Sequence, residues 1–455
     1  MVILTSEEYA ECRPVTRIEE QAARLAVPEN RLRTICASLS TDVTAPADDE
    51  RTPVGHLGQH RAVESLRFGI GLEHEGYNVF VLGPPGSHRH ALVETLARAQ
   101  AVSKSAPDDW CYVNNFHDPE RPRALRLPTG KGAEFKEDMH ALIDEIRIAI
   151  PAVFEDDDYR NQLKALEEEL QQELKSQWDT IRRKAGKDDI AVLQTPTGYV
   201  LAPVRDDKVI DDEEFEKLPE DERQSIEQTI QALSEELQAH IESLPKLRKK
   251  HHERIRKLDQ EVTAHAVTAL FQDLQTKYAD MVDVARYLEA ARQDIIDNAQ
   301  DFRQSEEPAL PFLRQDNTSL LAGYEVNLIV SNDPEAPAPV IYEANPSYPN
   351  LVGKVEHRAE MGALFTDFRM VRGGMLQQAN GGYLILDIHR VLGRPLAWEA
   401  LKQALFTKQV RIESPAETLG FATTTTLKPE PIPLDIKIIL VGERWLYYLL
   451  SMYDK

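Results

Sequence analysis

The chain of 455 residues has few cysteines, no long apolar run and very little glycine in its middle third. Its cysteines, Cys12, Cys36 and Cys111, are odd in number and far apart, which argues against a disulfide framework or a metal-ligand cluster. No run approaches the roughly 20 apolar residues that span a bilayer. The N-terminus, MVILTSEEYAECRP, has acidic residues where a signal peptide carries basic ones. These absences predict a protein of the reducing cytoplasm without a membrane segment.

Positive charge is also scarce, because 53 lysines and arginines stand against 76 aspartates and glutamates, a formal net charge of -23. This balance argues against attraction of the whole surface to nucleic acid or anionic lipid. One local exception is KLRKKHHERIRK at Lys246–Lys257, a candidate contact for nucleic acid or an acidic partner. Most such charge runs are solvated helix faces, which is the alternative interpretation.

The stretch VFVLGPPGSHRH at Val79–His90 has the pattern of a strand, a glycine turn and a helix start. A phosphate-binding loop needs glycines for backbone contact, a lysine for the phosphates and a hydroxyl for Mg²⁺. Arg89 stands at the lysine position, and a guanidinium is a good phosphate partner. His90 stands at the hydroxyl position, but Mg²⁺ prefers oxygen ligands. His88 also replaces a small residue and crowds the loop.

The second half of such a site is an apolar strand that ends in an aspartate, followed in hydrolases by a glutamate that activates water. LILDIHRV offers Asp387 but then Ile388, so the pattern argues against efficient hydrolysis. Taken alone, Asp387 is equally well explained as a turn residue at a strand end. The candidate Mg²⁺ ligand is Asp387, and the candidate nucleotide-binding residues are Gly83, Pro84, Pro85, Gly86, Ser87, His88, Arg89, His90 and Asp387.

Hydrophobic periodicity divides the chain into an interrupted α/β fold. From about Ala133 to Phe302, apolar residues at steps of three and four predict long helices packed as antiparallel coiled-coil arms. DIAVLQTPTGYVLAPVRDDKVI within this region predicts a β-hairpin. Strands are predicted on either side, in DWCYVNNF, YEVNLIVSND, APVIYEANP, GALFTDFRM, GGYLILD and DIKIILVG.

The predicted fold class is therefore an α/β P-loop domain, interrupted by a large all-α coiled-coil-like insertion with a small β-hairpin. An N-terminal segment and linker are expected in residues 1–50, and the first α/β part in residues 51–132. The helical arm insertion is expected in residues 133–305 and the second α/β part in residues 306–455.

Six stretches in order resemble the AAA+ part of the Lon-like proteases, in the bacterial branch with a long helical insertion between its two nucleotide motifs. They are DWCYVNNFHDPERPRALRLPTGKG, LQTPTGYVLAPV, YEANPSYPNLVGKVEH, GALFTDFRMVRGGMLQQANGGYLILD, PLAWEALKQAL and LDIKIILVGERWLYYLL. The resemblance implies that the α/β P-loop domain is of AAA+ type. It also implies a homo-oligomeric, ring-forming ATPase with ATP and Mg²⁺ as cofactors. It also implies unfolded or damaged polypeptide as the substrate, threaded into a protease domain with a serine-lysine dyad.

GALFTDFRMVRGG resembles the loop that projects into the central pore of related AAA+ rings, so Met361 and Phe365 are candidate substrate contacts. The alternative is that Leu364, Phe365 and Phe368 simply pack within a β-hairpin.

The chain also departs from the family pattern. Arginine in place of lysine is also met in this branch, some of whose members resemble ATP-independent proteases, but His88, His90 and Ile388 weaken the site further. The family continues after YYLLSMYD with a helical lid and the protease domain, so the dyad is expected outside this chain. Ser414, Ser451 and Lys455 are accordingly predicted to be ordinary surface residues.

Three hypotheses remain. The first is the substrate-capturing AAA+ portion of a Lon-like ATP-dependent protease with degenerate nucleotide motifs. The second is a non-enzymatic scaffold or truncated remnant that binds polypeptide or sister subunits. The third is a functional ATPase with an unorthodox site.

Overall fold

The computed structural model describes residues 60–74, 76–195, 198–205, 208–210, 215, 219–302, 321–360, 363–414 and 427–454. The chain divides into two compact units. The first comprises Met1–Trp110, Pro128–Gly132 and Ile329–Lys455, and the second comprises Cys111–Leu127 and Ala133–Leu328. The predicted N-terminal segment and linker of residues 1–50 lie outside the described residues. The domain boundaries expected from the sequence remain a prediction.

A parallel four-stranded sheet forms the centre of the first unit. Its strands, in order across the sheet, are β1 (Val79–Leu82), β16 (Lys437–Gly442), β13 (Tyr383–Asp387) and β8 (Val340–Glu343), and every pairing in it is parallel. The first four residues of β13 are buried, as expected for a strand covered on both faces. This confirms four strands predicted from apolar runs: β1 (Val79–Leu82), β8 (Val340–Glu343), β13 (Tyr383–Asp387) and β16 (Lys437–Gly442).

Helices cover the sheet by burying one apolar face each. Leu92, Val93 and Leu96 recur at helical spacing on one helix and pack with Ile385 and Ile439 of the sheet. A second core lies around Leu384, Leu386 and Leu401. The helices of this unit are α1 (His60–Gly71), α2 (Arg89–Ala101), α7 (Tyr348–Val352), α8 (Met375–Gln378), α9 (Ile388–Leu392), α10 (Ala397–Thr407) and α11 (Arg444–Tyr453).

The stretch GALFTDFRM does not form the single strand predicted for it. β11 (Ala363–Phe365) pairs antiparallel with β10 (Arg358–Glu360), and a 3₁₀ turn follows at Phe368–Met370. The carboxylate of Asp367 begins this turn by accepting the backbone N–H of Arg369 at 2.8 Å. Such local bonds compete with strand pairing. Extended backbone resumes at β12 (Val371–Gly373), paired with β9 (Gly353–Val355), while β14 (Gln409–Val410) pairs with β15 (Ile432–Pro433).

Long helices dominate the second unit, around a core that includes Phe135, Phe271 and Tyr287. The antiparallel pair β4 and β5 confirms the predicted hairpin, although its turn residues 196 and 197 lie outside the described part of the chain. The helices are α3 (Lys131–Phe154), α4 (Asp157–Lys187), α5 (Glu220–Lys277) and α6 (Val282–Asp297). The strands in this part of the chain are β2 (Asp109–Val113), β3 (Arg123–Leu127), β4 (Ile190–Thr195), β5 (Gly198–Arg205), β6 (Lys208–Val209) and β7 (Asn327–Val330). The first two residues of β2 and of α3 and the last two of β7 are assigned to the first unit.

Helices α4 and α5 pack antiparallel, as their apolar stripes predict. The residue number of the partner on α5 falls as the number along α4 rises. Three side-chain contacts show this order: Tyr159 with Asp259 at 2.7 Å, Glu169 with Arg254 at 2.9 Å and Lys184 with Glu236 at 2.8 Å. No helix within the described ranges has both the length and the apolar content that crossing a bilayer requires.

Candidate functional site

The loop between β1 and α2 turns through two residues with left-handed backbone. Gly86 has φ 79°, and His88, which precedes the helix, has φ 54°. The hydroxyl of Ser87 donates to the carbonyl oxygen of Pro84 at 2.8 Å and closes the turn. A phosphate loop of the form GxxxxGK[ST] has its second glycine where His88 stands. That spacing is the signal by which the strained position could have been found in the sequence.

Arg89 holds the loop against the neighbouring strand of the sheet. Its guanidinium donates to the carbonyl oxygen of Gly83 and, at 3.2 Å, to that of Gly442, the last residue of β16. The backbone N–H of Gly83 also donates to the carbonyl oxygen of Gly442 at 3.2 Å. Sequence reasoning missed Gly442, because it lies more than 300 residues from the loop and only the parallel pairing of β1 with β16 brings it there.

The sheet brings His90 and Asp387 together, as two halves of one nucleotide site require. Nε2 of His90 lies 3.6 Å from Oδ2 of Asp387, and the imidazole ring makes an edge contact with Tyr342 at 5.3 Å between centroids. Nε2 is buried and has no hydrogen-bond partner. Burial lowers the pKa of His90 below its usual value, Asp387 acts in the opposite direction, and Arg89 and Arg390 lower that pKa further.

Asp387 also serves as the N-cap of α9, so the turn interpretation describes part of its role. Its Oδ1 accepts the backbone N–H groups of His389 at 3.0 Å and Arg390 at 3.4 Å. The next residue, Ile388, is fully buried in the apolar core. A Cβ placed on Gly442 would come within 2.4 Å of the Ile388 side chain, so the two are tightly packed. Ile388 is therefore a core residue, and a glutamate in its place would put a carboxylate into apolar surroundings.

Only one of the two candidate substrate residues lies in the described part of the chain. Met361 lies outside the described residues, whereas Phe365 on β11 is 54 % exposed. Its neighbour Leu364 is 62 % exposed, and only Phe368 is buried. Leu364 and Phe365 therefore do lie in a β-hairpin, but their side chains are exposed. Phe368 is buried, but it lies in the 3₁₀ turn that follows the hairpin.

Part of the basic run on α5 is engaged within its own unit. Arg254 pairs with Glu169, and the ring nitrogen Nε2 of His251 lies 3.1 Å from the carbonyl oxygen of Leu166. These contacts fit the interpretation of a helix face better than a nucleic-acid surface.

Two of the three residues predicted to be ordinary surface residues lie within the described ranges. Ser451 is exposed, and its hydroxyl donates to the carbonyl oxygen of Tyr448 at 2.8 Å. Ser414 is half-buried, and Lys455 lies outside the described residues.

The donors at the end of β13 do not fit Mg²⁺. This ion takes near-octahedral oxygen ligands and usually keeps several waters. The loop offers an imidazole instead of a hydroxyl, and one oxygen of Asp387 is already bonded to two backbone N–H groups. Across the described ranges, no group of three or more histidine, cysteine, aspartate or glutamate side chains is arranged to hold a metal ion.

Two family models match parts of the chain. One, described as "LonB-like, AAA domain", matches residues 336–455, and another, described as "Lon-like LonC helical domain", matches residues 109–142. The first stretch contains Asp387 and Phe365, while the loop at residues 83–90 lies outside both. No curated protein matches the chain. The two matches support the assignment of this chain to the Lon-like protease family, which confirms the resemblance seen in the sequence. The match to the AAA domain agrees with an α/β P-loop fold.

Proposed function

We propose that this member of the Lon-like protease family is an AAA+ portion that captures polypeptide and has a nucleotide site unable to turn ATP over efficiently. One observation carries the second half of the proposal. His90 stands where a phosphate loop has its Mg²⁺-binding hydroxyl, and its ring nitrogen lies 3.6 Å from the carboxylate of Asp387. The rest of the loop keeps features that favour phosphate.

Binding and hydrolysis place different demands on the loop. Backbone N–H groups at the start of α2 and the guanidinium of Arg89 favour a phosphate group. Hydrolysis also needs an ordered Mg²⁺ and an activated water, for which the usual providers are replaced by His90 and Ile388. Loss of such positioning typically costs several powers of ten in rate.

Polypeptide capture is proposed to involve the β10–β11 hairpin. Leu364 and Phe365 expose apolar side chains on β11, although Phe368 three residues later is buried. An exposed aromatic on a short hairpin can contact the side chains of an extended chain without a preformed pocket. Sister subunits in a ring and a helical arm insertion over residues 133–305 complete the proposal.

A casein-binding measurement tests the capture role. Phe365→Ser is expected to weaken binding of fluorescent casein by about thirtyfold, the scale of an interface hot spot. Phe406→Ser is the matched control, because Phe406 is 90 % exposed on α10 and lies outside the hairpin. Equal effects of both substitutions, or an unchanged affinity for Phe365→Ser, would remove the hairpin from the proposed function.

The two rival hypotheses each rest on one contact. A scaffold without nucleotide is compatible with Arg89 bonding to two carbonyl oxygens, because the loop is then closed by its own side chain. A working ATPase would need a carboxylate from another position, because residue 388 is an isoleucine. Glu443 follows Gly442 directly, and its carboxylate accepts the indole N–H of Trp445 at 2.7 Å. Glu443→Gln therefore separates a working ATPase from the other two.

A further inference from the structure

We infer that the loop takes its phosphate compound without a divalent cation, because side chains of this protein occupy the surroundings in which the ion would bind. The inference rests on the proposed nucleotide site and concerns which form of the ligand that site accepts. The imidazole of His90 and the carboxylate of Asp387 do not match the oxygen ligands that Mg²⁺ requires.

The imidazole of His90 is held in place from two sides. Its ring meets the edge of Tyr342, and its buried Nε2 faces Oδ2 of Asp387 at 3.6 Å. The other oxygen of Asp387 is committed to the start of α9. An ion between His90 and Asp387 would have one oxygen and one nitrogen from the protein. The hydroxyl that completes an ordinary phosphate loop is absent at position 90.

The charges around this point also disfavour a cation. Arg89 and Arg390 both act electrostatically on His90, and Arg390 is fixed by a bond to the carbonyl oxygen of Ala344 at 2.5 Å. The N-terminal end of α2 adds the positive end of a helix dipole. A divalent ion would meet two guanidinium groups and one carboxylate, whereas an anionic phosphate would meet favourable partners.

The ligand class that fits is a phosphate ester or diphosphate not complexed with metal, and ADP is a suitable probe. Calorimetric titration of ADP into the full chain is carried out once with EDTA and once with excess Mg²⁺. The affinity in EDTA is expected to equal or exceed that in Mg²⁺. In His90→Thr, which restores a hydroxyl, Mg²⁺ is expected to tighten ADP binding by about tenfold. His389→Thr, which removes an exposed imidazole on α9, is expected to behave like the unaltered chain.

The outcomes separate this inference from the proposed function. If the unaltered chain binds ADP only with Mg²⁺, the inference fails and the nucleotide site stands. If Mn²⁺ or Zn²⁺ tightens binding and His90→Thr removes that effect, the imidazole and Asp387 hold a metal, and the inference fails as well. If no condition gives binding while circular dichroism shows a folded chain, both the inference and the nucleotide site fail.

Discussion

The carboxylate of Asp109 accepts the backbone N–H of Asn332 at 2.8 Å, although the two residues are 223 positions apart. Its other oxygen accepts the backbone N–H of Gly132, also at 2.8 Å. Asp109, Gly132 and Asn332 all belong to the first unit, and each lies within a few residues of a point where the chain passes between units. The fully buried carboxylate thus joins three separate segments of the first unit.

We expect Asp109→Ala to destabilise the protein strongly. The substitution leaves the buried N–H of Gly132 and the half-buried N–H of Asn332 without acceptors, which should lower the free energy of unfolding by about 3 kcal/mol. Urea denaturation measures the change. Glu64→Ala, at an exposed position on α1, is the control and should change stability by less than about 0.5 kcal/mol. A loss for Asp109→Ala no larger than that of the control would show that the carboxylate does not join the segments.

His88 tests whether the loop stores backbone strain. A left-handed conformation is unfavourable for residues with a Cβ, so His88→Gly should raise the free energy of unfolding by up to about 1 kcal/mol. Glycine at the exposed helical position of His389 should instead lower it by about 1 kcal/mol. Destabilisation by both substitutions would mean that the side chain of His88 contributes more than its backbone costs.

The pH dependence of stability tests the environment of His90. Burial lowers the pKa of His90 in the folded protein, so the unfolded chain takes up the proton first as the pH falls. The contribution of His90 is therefore complete above its ordinary pKa and is lost as the pH falls through the folded value. His90→Gln should lose less melting temperature between pH 7.5 and pH 5.5, both chosen around the usual histidine value of about 6.5. A larger fall in melting temperature for His90→Gln than for the unaltered chain would contradict a lowered pKa of His90.

The sequence predicts what depends on local pattern. Apolar runs identify β1, β13 and β16, and steps of three and four identify the antiparallel helices α4 and α5. The order of glycine loop, helix and distant aspartate also predicts that His90 and Asp387 belong to one site. Their spacing of 3.6 Å agrees with that expectation.

The sequence could not predict contacts that depend on strand neighbours or on the direction of a single side chain. Gly442 contacts Arg89 because β16 lies beside β1, an order that no local pattern specifies. Ile388 occupies the position where a hydrolase has glutamate, yet the structure buries it in the core. An isoleucine after a strand is compatible with either environment, so only the packing against Gly442 distinguishes them.

The burial of Ile388 also decides which substitutions are suited to restoring ATP hydrolysis. His90→Thr combined with Ile388→Glu would place the usual residue at both departures from the motif. Because Ile388 is fully buried, the glutamate is expected to cost about 2 kcal/mol or more of stability and not to reach the loop. His90→Thr alone, measured with and without Glu443→Gln, is therefore the better pair. Turnover that appears in the first and disappears in the second would assign the missing carboxylate to Glu443.

Steady-state ATP hydrolysis by the unaltered chain with Mg²⁺ tests the central claim most directly. With His90 at the hydroxyl position and Ile388 in the core, the predicted rate lies several powers of ten below that of an AAA+ enzyme with intact motifs, at the background of the assay. Brisk, Mg²⁺-dependent phosphate release that is lost in Arg89→Ala would contradict it and show that this loop is a working ATPase site.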